Sequence, residues 1–241
     1  MKIPLVKEWG SWVVFGSSCL AAIAAGFSTQ AREAGSGTGV ITISAVAGIF
    51  FLINTKPPLV AAIRAKGAKG GHIAWFFVFT AAGLLLLAPC LRSGIDRFAP
   101  FFILALSYVW FVWSGKEHHV FAELNGFALL TASAPLVYFA TTGMVSMKLY
   151  AAVFLFFAAG VFKVRVRIRK TLFYRVLMIA YCALILNIFR VLHINLILLV
   201  PFAENIISAL WLREERLKTT GYIELAKSII FVVLIGIFWE Q

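Results

Sequence analysis

Long apolar runs follow one another along almost the whole chain, separated by short polar gaps. Their boundaries predict nine helical spans at about 10–29, 38–54, 72–90, 99–114, 124–141, 146–162, 175–189, 192–211 and 222–239. A helix needs roughly 20 apolar residues to cross a bilayer, and most of these runs come close to that. The alternating strands of about 10 residues that build outer-membrane barrels are absent. The pattern therefore predicts an all-α, polytopic transmembrane helix bundle in one domain over residues 1–241, with no linker. The stretch Gly35-Ser36-Gly37-Thr38-Gly39 reads as a flexible turn. The N-terminal segment has early lysines and an apolar run, like a signal peptide. Glu8 precedes that run and many spans follow it, so the segment reads as a retained first span.

Composition supports the same class. Hydrophobic residues make up 62% of the 241 residues and charged residues 13%, with a mean hydropathy of +0.94. A soluble domain is about half apolar and a quarter charged. A chain this apolar needs the lipid bilayer as its solvent.

The net charge of +12 is distributed unevenly. With the N-terminus in the cytoplasm, the inner segments hold 16 of the 22 basic residues, including Lys56, Arg64, Lys66, Lys69 and the run Lys163 to Lys170. The outer segments hold five: Arg32, Arg92, Arg97, Lys148 and Arg190. Lysine and arginine collect in cytoplasmic loops, so the split orients the bundle and accounts for the charge without nucleic acid. It gives a multi-pass protein of the inner-membrane type, with the C-terminus outside.

Most polar residues near the spans then lie at the cytoplasmic side. Glu8 stands at the entry to span one, His72 opens span three, and His118 and His119 precede span five, followed by Glu123 and Asn125. Arg165 and Arg167 follow span six, and Glu204 and Asn205 lie inside span eight, one turn after Pro201. An ionisable residue within a span is costly and marks a functional site by default. The plainer reading of Glu204 is a carboxylate bonded to a neighbouring helix. Glu224 and Lys227 are three apart on span nine and share a face, which predicts a structural pair. The run Lys163-Val164-Arg165-Val166-Arg167-Ile168-Arg169-Lys170, as a helix, sets Lys163, Arg167 and Lys170 on one face. Such a face suits a phosphate, or anchors the chain on anionic headgroups.

Other motifs carry less. The loop from Arg64 to Gly71 looks like a phosphate cradle but lacks the P-loop frame and its preceding strand. Cys19, Cys90 and Cys182 have no metal-like spacing and read as core residues. His72 with His118 or His119 matches in depth for haem ligation, with nothing else in support, and no zinc set closes. The single aspartate, Asp96, lies outside. That argues against an inner magnesium–diphosphate site built on paired aspartates. These residues specify no cofactor.

Three segments carry a resemblance: Lys7-Glu8-Trp9-Gly10-Ser11-Trp12, Glu123-Leu124-Asn125-Gly126-Phe127 running to Ala134-Pro135, and Val164-Arg165-Val166-Arg167-Ile168-Arg169. Together, and in this order, they resemble the YwiC-like family of bacterial multi-spanning membrane proteins. That family opens with a basic residue and Glu-His-Gly-Ala-Trp; here Trp9 replaces the histidine and Ser11 the alanine. The architecture is also similar to the UbiA-like intramembrane prenyltransferases, without their aspartates.

Three functions fit these features. The first is a cytoplasm-facing pocket for an amphipathic anionic ligand, such as a lipid or prenyl phosphate. Glu8, His72, His118, Glu123, Asn125, Arg165, Arg167, Glu204 and Asn205 would line it. The second is a non-catalytic accessory or assembly subunit of a membrane complex, its aromatic residues packed on partner helices. The third is a small-solute transporter with Glu204 on the permeation path.

Overall fold

The computed structural model describes residues 3–33, 39–65, 70–92, 94–116, 119–211 and 217–239. Among them every regular element is helical. Eleven α-helices run in order: α1 Trp9–Glu33, α2 Gly39–Ile53, α3 Lys56–Arg64, α4 Gly70–Leu91, α5 Ala99–Trp113, α6 Val120–Thr131, α7 Ser133–Thr142, α8 Met147–Arg169, α9 Leu172–Val191, α10 Ala203–Leu210 and α11 Leu217–Phe238. Among the described residues eight stretches are long and apolar enough to cross a membrane; α2–α3 and α6–α7 each count as one of them. Large side chains such as Leu85, Ile103, Leu106, Val191 and Trp113 stand exposed around the bundle. A soluble surface does not carry so much contiguous apolar area; a lipid-facing one does. The protein is an integral membrane protein.

Local chemistry explains the breaks. α2 stops at Asn54, which is fully buried. Its amide donates to the Phe50 carbonyl at 2.8 Å, and its Oδ1 accepts the Val6 N–H at 3.1 Å. Pro57 and Pro58 then start α3, where missing N–H groups cost nothing. α7 ends on Gly143 at φ +75°, a left-handed conformation natural to glycine. Ser146 caps α8 by accepting the Leu149 N–H at 3.2 Å.

The predicted eighth span takes an unusual form. After a turn at 192–195 the chain makes a seven-residue 3₁₀ helix, Leu196–Phe202, that contains Pro201, and then the eight-residue α10. A 3₁₀ helix rises about 2.0 Å per residue and an α-helix about 1.5 Å, so these 15 residues advance roughly 26 Å. The stretched geometry lets a short segment approach the thickness of the hydrocarbon core. Contacts at its two ends agree: Arg175, near the start of α9, bonds the Ala209 and Leu210 carbonyls. Ile194 and Leu196 lie beside Ser146 and Trp239, at the ends of α8 and α11. The helix ends thus gather at two levels. A basic end holds Glu8, Arg64, Arg165, Arg175 and Leu210; a far end holds Tyr138, Ser146, His193 and Trp239.

The core is packed through small residues, as membrane helices require. Ala21, Ala22 and Ala25 of α1 are fully buried. α2 and α4 cross at Gly48 and Gly83, where an added Cβ would sit 2.9 Å from the other glycine's carbonyl oxygen. Phe156 of α8 stacks on Phe231 of α11 with ring centroids 4.0 Å apart.

Candidate functional site at the basic end

The last turns of α8 deliver their cations in different directions. Lys163 turns inward between α10 and α11 and is 1% exposed. Its Nζ donates to the Glu204 carboxylate and to Glu224 Oε1, the latter at 2.6 Å. From α11, Lys227 Nζ donates to Glu224 Oε1 at 2.9 Å, to Glu204 Oε2 at 3.2 Å and to Asn205 Oδ1. Each ammonium touches both carboxylates, so Lys163, Glu204, Lys227 and Glu224 close a ring of alternating charge. Ser208 Oγ donates to the remaining oxygen of Glu204 at 2.6 Å.

Burying four charges is expensive, and such an arrangement holds only when each charge is paired and hydrogen-bonded. The ring meets that condition with zero net charge. It also has a front and a back: the lysine side chains are 1% and 7% exposed, the glutamates 29% and 30%. Carboxylates form the accessible side.

On the opposite face of α8 lies a second group. Arg165 Nη2 donates to Glu123 Oε2 at 2.7 Å, joining α8 to α6. Its Nε–H is buried and meets no acceptor among the described residues. Asn125, a half-turn along α6, donates its amide to Ser107 Oγ at 2.8 Å and to the Leu104 carbonyl at 3.2 Å. Its Oδ1 is likewise buried without a donor. Arg167 Nη1 donates to Thr220 Oγ1 at 2.8 Å. Arg175 caps α10: its Nε and Nη2 donate to the Ala209 and Leu210 carbonyls at 2.6 and 2.7 Å, where the helix dipole favours a cation.

Glu204 and Asn205 thus join one network, and Glu123 with Arg165 another across α8. Glu8 belongs elsewhere: it pairs with Lys56 at 2.9 Å and accepts from Ser11 at 3.0 Å, at the foot of α1 and α3. Partial burial pushes the Glu8 carboxyl up, but the hydrogen bond and charge of Lys56 outweigh it and hold the group below its ordinary value. His72 is half-buried on α4, which packs on α2 and α3, away from the ring. His119 is the N-cap of α6; its Nδ1 accepts the Phe121 N–H. His118 lies outside the described residues, as does most of the glycine-rich loop after Arg64. Among the described residues no three His, Cys, Asp or Glu side chains gather as metal ligands.

Lys163 is the residue that sequence reasoning missed. Counted with Arg167 and Lys170 as one phosphate- or headgroup-binding face, it is instead the most buried cation of the run. A signal did exist: Glu204, Glu224 and Lys227 lie at similar depths from the basic end, and three charges at one depth call for a fourth.

No protein-family model matches the chain, and neither the curated proteins nor the solved structures contain a match to it. The site is therefore read from its own chemistry. It combines a neutral ion ring with an arginine that has an uncommitted buried donor.

Proposed function

We propose that this is a multi-pass protein of a bacterial cytoplasmic membrane, basic end inward, that binds the anionic headgroup of an amphiphile beside Arg165. The observation that carries the reading is the buried Nε–H of Arg165. A buried donor left unmade costs about 1–3 kcal/mol, and native structures keep few such groups without a partner. A phosphate oxygen is a fitting acceptor, because guanidinium presents Nε and Nη as a fork for oxyanions. Arg167, two residues on, leans to the opposite side of α8, where it bonds Thr220 of α11; the depth of Arg165, about a turn inside the helix end, suits a headgroup whose tails lie among the spans. Glu123 positions the guanidinium from the opposite side. The ring of Lys163, Glu204, Lys227 and Glu224 holds the opposite face of α8 against α10 and α11. A lipid phosphate or prenyl phosphate has this chemistry.

Membership of the YwiC-like family belongs to the same proposal. Two of the three segments that carry the resemblance, around Glu123 and around Arg165, are joined by an ion pair of 2.7 Å.

The test is binding of a prenyl monophosphate to the protein in nanodiscs. Arg165→Lys keeps the charge and removes the fork, and is expected to weaken binding by about tenfold, the loss of one good charge-assisted bond. Arg167→Ala, on the opposite side of α8, is expected to leave it unchanged. Unchanged binding in Arg165→Lys would refute the site.

A second reading is favoured by the 3₁₀ stretch at Pro201 and the carboxylate-fronted ring. Broken helices and paired intramembrane charges recur at coupling sites of transporters. Proton-driven solute uptake into vesicles that Glu204→Gln abolishes would support it; uptake that Glu204→Gln leaves intact would exclude it.

A further inference from the structure

The far end of the bundle holds an open cleft of about 640 Å³, lined by Tyr138, Ser146, Lys148, His193, Ile194, Asn195, Leu196 and Trp239. Its size is that of a small-ligand site, and it lies at the opposite end from Arg165. Ser146 Oγ and Asn195 Oδ1 already accept backbone N–H groups at 3.2 and 3.0 Å. Among the lining residues Lys148 carries the one full charge, and the Asn195 amide N–H, the Ser146 hydroxyl proton and the Trp239 indole N–H add spare donors, while the His193 imidazole offers one donor and one acceptor. A cleft with spare donors, one of them cationic, selects an anion.

The backbone fixes where the imidazole stands. α9 ends in a Schellman turn: the Ile194 N–H bonds the Phe189 carbonyl at 2.8 Å, and the His193 N–H bonds the Arg190 carbonyl at 3.1 Å. Buried Ile194 and Phe189 supply the apolar contact of that motif. The pivot residue takes φ +52° and is His193, where glycine is the usual choice. Histidine is one of the non-glycine residues that take this conformation more readily, and Lys170 closes α8 at φ +51° in the same way. Here the turn sets the imidazole on the cleft wall.

We infer that this cleft is a second binding site, specific for a phosphate group, with Lys148, His193 and Asn195 as its ligands. The phosphate comes from a lipid headgroup of the outer leaflet or is free in solution. Trp239, just past the end of α11, is the residue type that sits at headgroup level in membrane proteins.

The test is made in an Arg165→Gln background, so that failure of the inner site does not affect it. Phosphatidylglycerol retained from mixed phosphatidylcholine nanodiscs is counted by native mass spectrometry. Inorganic phosphate is titrated separately by calorimetry. Lys148→Gln is expected to lose one retained phosphatidylglycerol and Lys148→Arg to keep it. His193→Gly is expected to lose the lipid while raising the unfolding temperature, because glycine is the usual residue at this pivot. A phosphate-binding heat that Lys148→Gln abolishes, with lipid retention unchanged, assigns the site to free phosphate. Unchanged lipid and phosphate binding in both Lys148→Gln and His193→Gly overturns the inference.

Discussion

Replacing Lys163 with methionine removes one of the two cations that hold the ring together. Lys163 is 1% exposed, and its ammonium touches both Glu204 and Glu224. Without it, two carboxylates share Lys227 alone, and one negative charge is left poorly compensated inside the bundle. Breaking a buried pair in this way costs about 3–5 kcal/mol. For a chain of this length, that corresponds to a fall of roughly 6–20 °C in apparent unfolding temperature. The second change is Glu224→Gln. In the double variant the remaining Glu204–Lys227 pair is again neutral, so much of the loss should return. The two substitutions are expected to couple by at least about 1 kcal/mol, within the range for residues of one ionic network. The protein supplies its own reporter: Cys19, Cys90 and Cys182 are all free and buried. A thiol-reactive dye fluoresces as they become accessible on heating in mild detergent. A Lys163→Met loss below about 1 kcal/mol, or strictly additive effects, would refute the ring as an energetic unit.

Two further predictions concern other parts of the bundle. A Cβ on Gly83 would lie 2.7 Å from the Leu52 side chain and 2.9 Å from the Gly48 carbonyl oxygen. Gly83→Ala should therefore force α2 and α4 apart and cost about 1–3 kcal/mol, read by the same thermal assay. The Glu8–Lys56 pair should show in pH dependence: with the folded carboxyl below its ordinary value, the pair stabilises above about pH 4.3 and loses that contribution as pH falls through the lowered value. Both partners are partly exposed, so the gain is about 0.2–1 kcal/mol. Glu8→Gln should be less stable than the native protein at pH 7 and equal to it once the native carboxyl is protonated; a gap that persists or widens in acid would contradict the assignment.

How much of this was legible in the sequence depends on the range of the interaction. Apolar runs report directly on lipid contact, so the all-helical membrane class and the position of most spans could be read from them. Glu204 and Asn205 stood out because a charge inside an apolar run has few explanations. The i,i+3 pair of Glu224 and Lys227 was legible because both lie on one helix. Lys163 was not: its neighbours in sequence are basic and exposed, and its partners come from helices 41 and 61 residues away. The eighth span hid its geometry for a different reason. An apolar run ending at Trp211 reads the same whether its first half is α or 3₁₀, and only Pro201 hinted at the break. The left-handed backbone of His193 is a property of the turn, which composition does not record.

The most direct test of headgroup binding beside Arg165 is native mass spectrometry of the gently solubilised native protein alongside Arg165→Lys. The native protein is expected to carry a bound lipid or prenyl phosphate that Arg165→Lys loses while remaining folded. A native protein that sheds all phosphate-bearing lipid, or one that retains it equally well with lysine at position 165, would contradict the assignment.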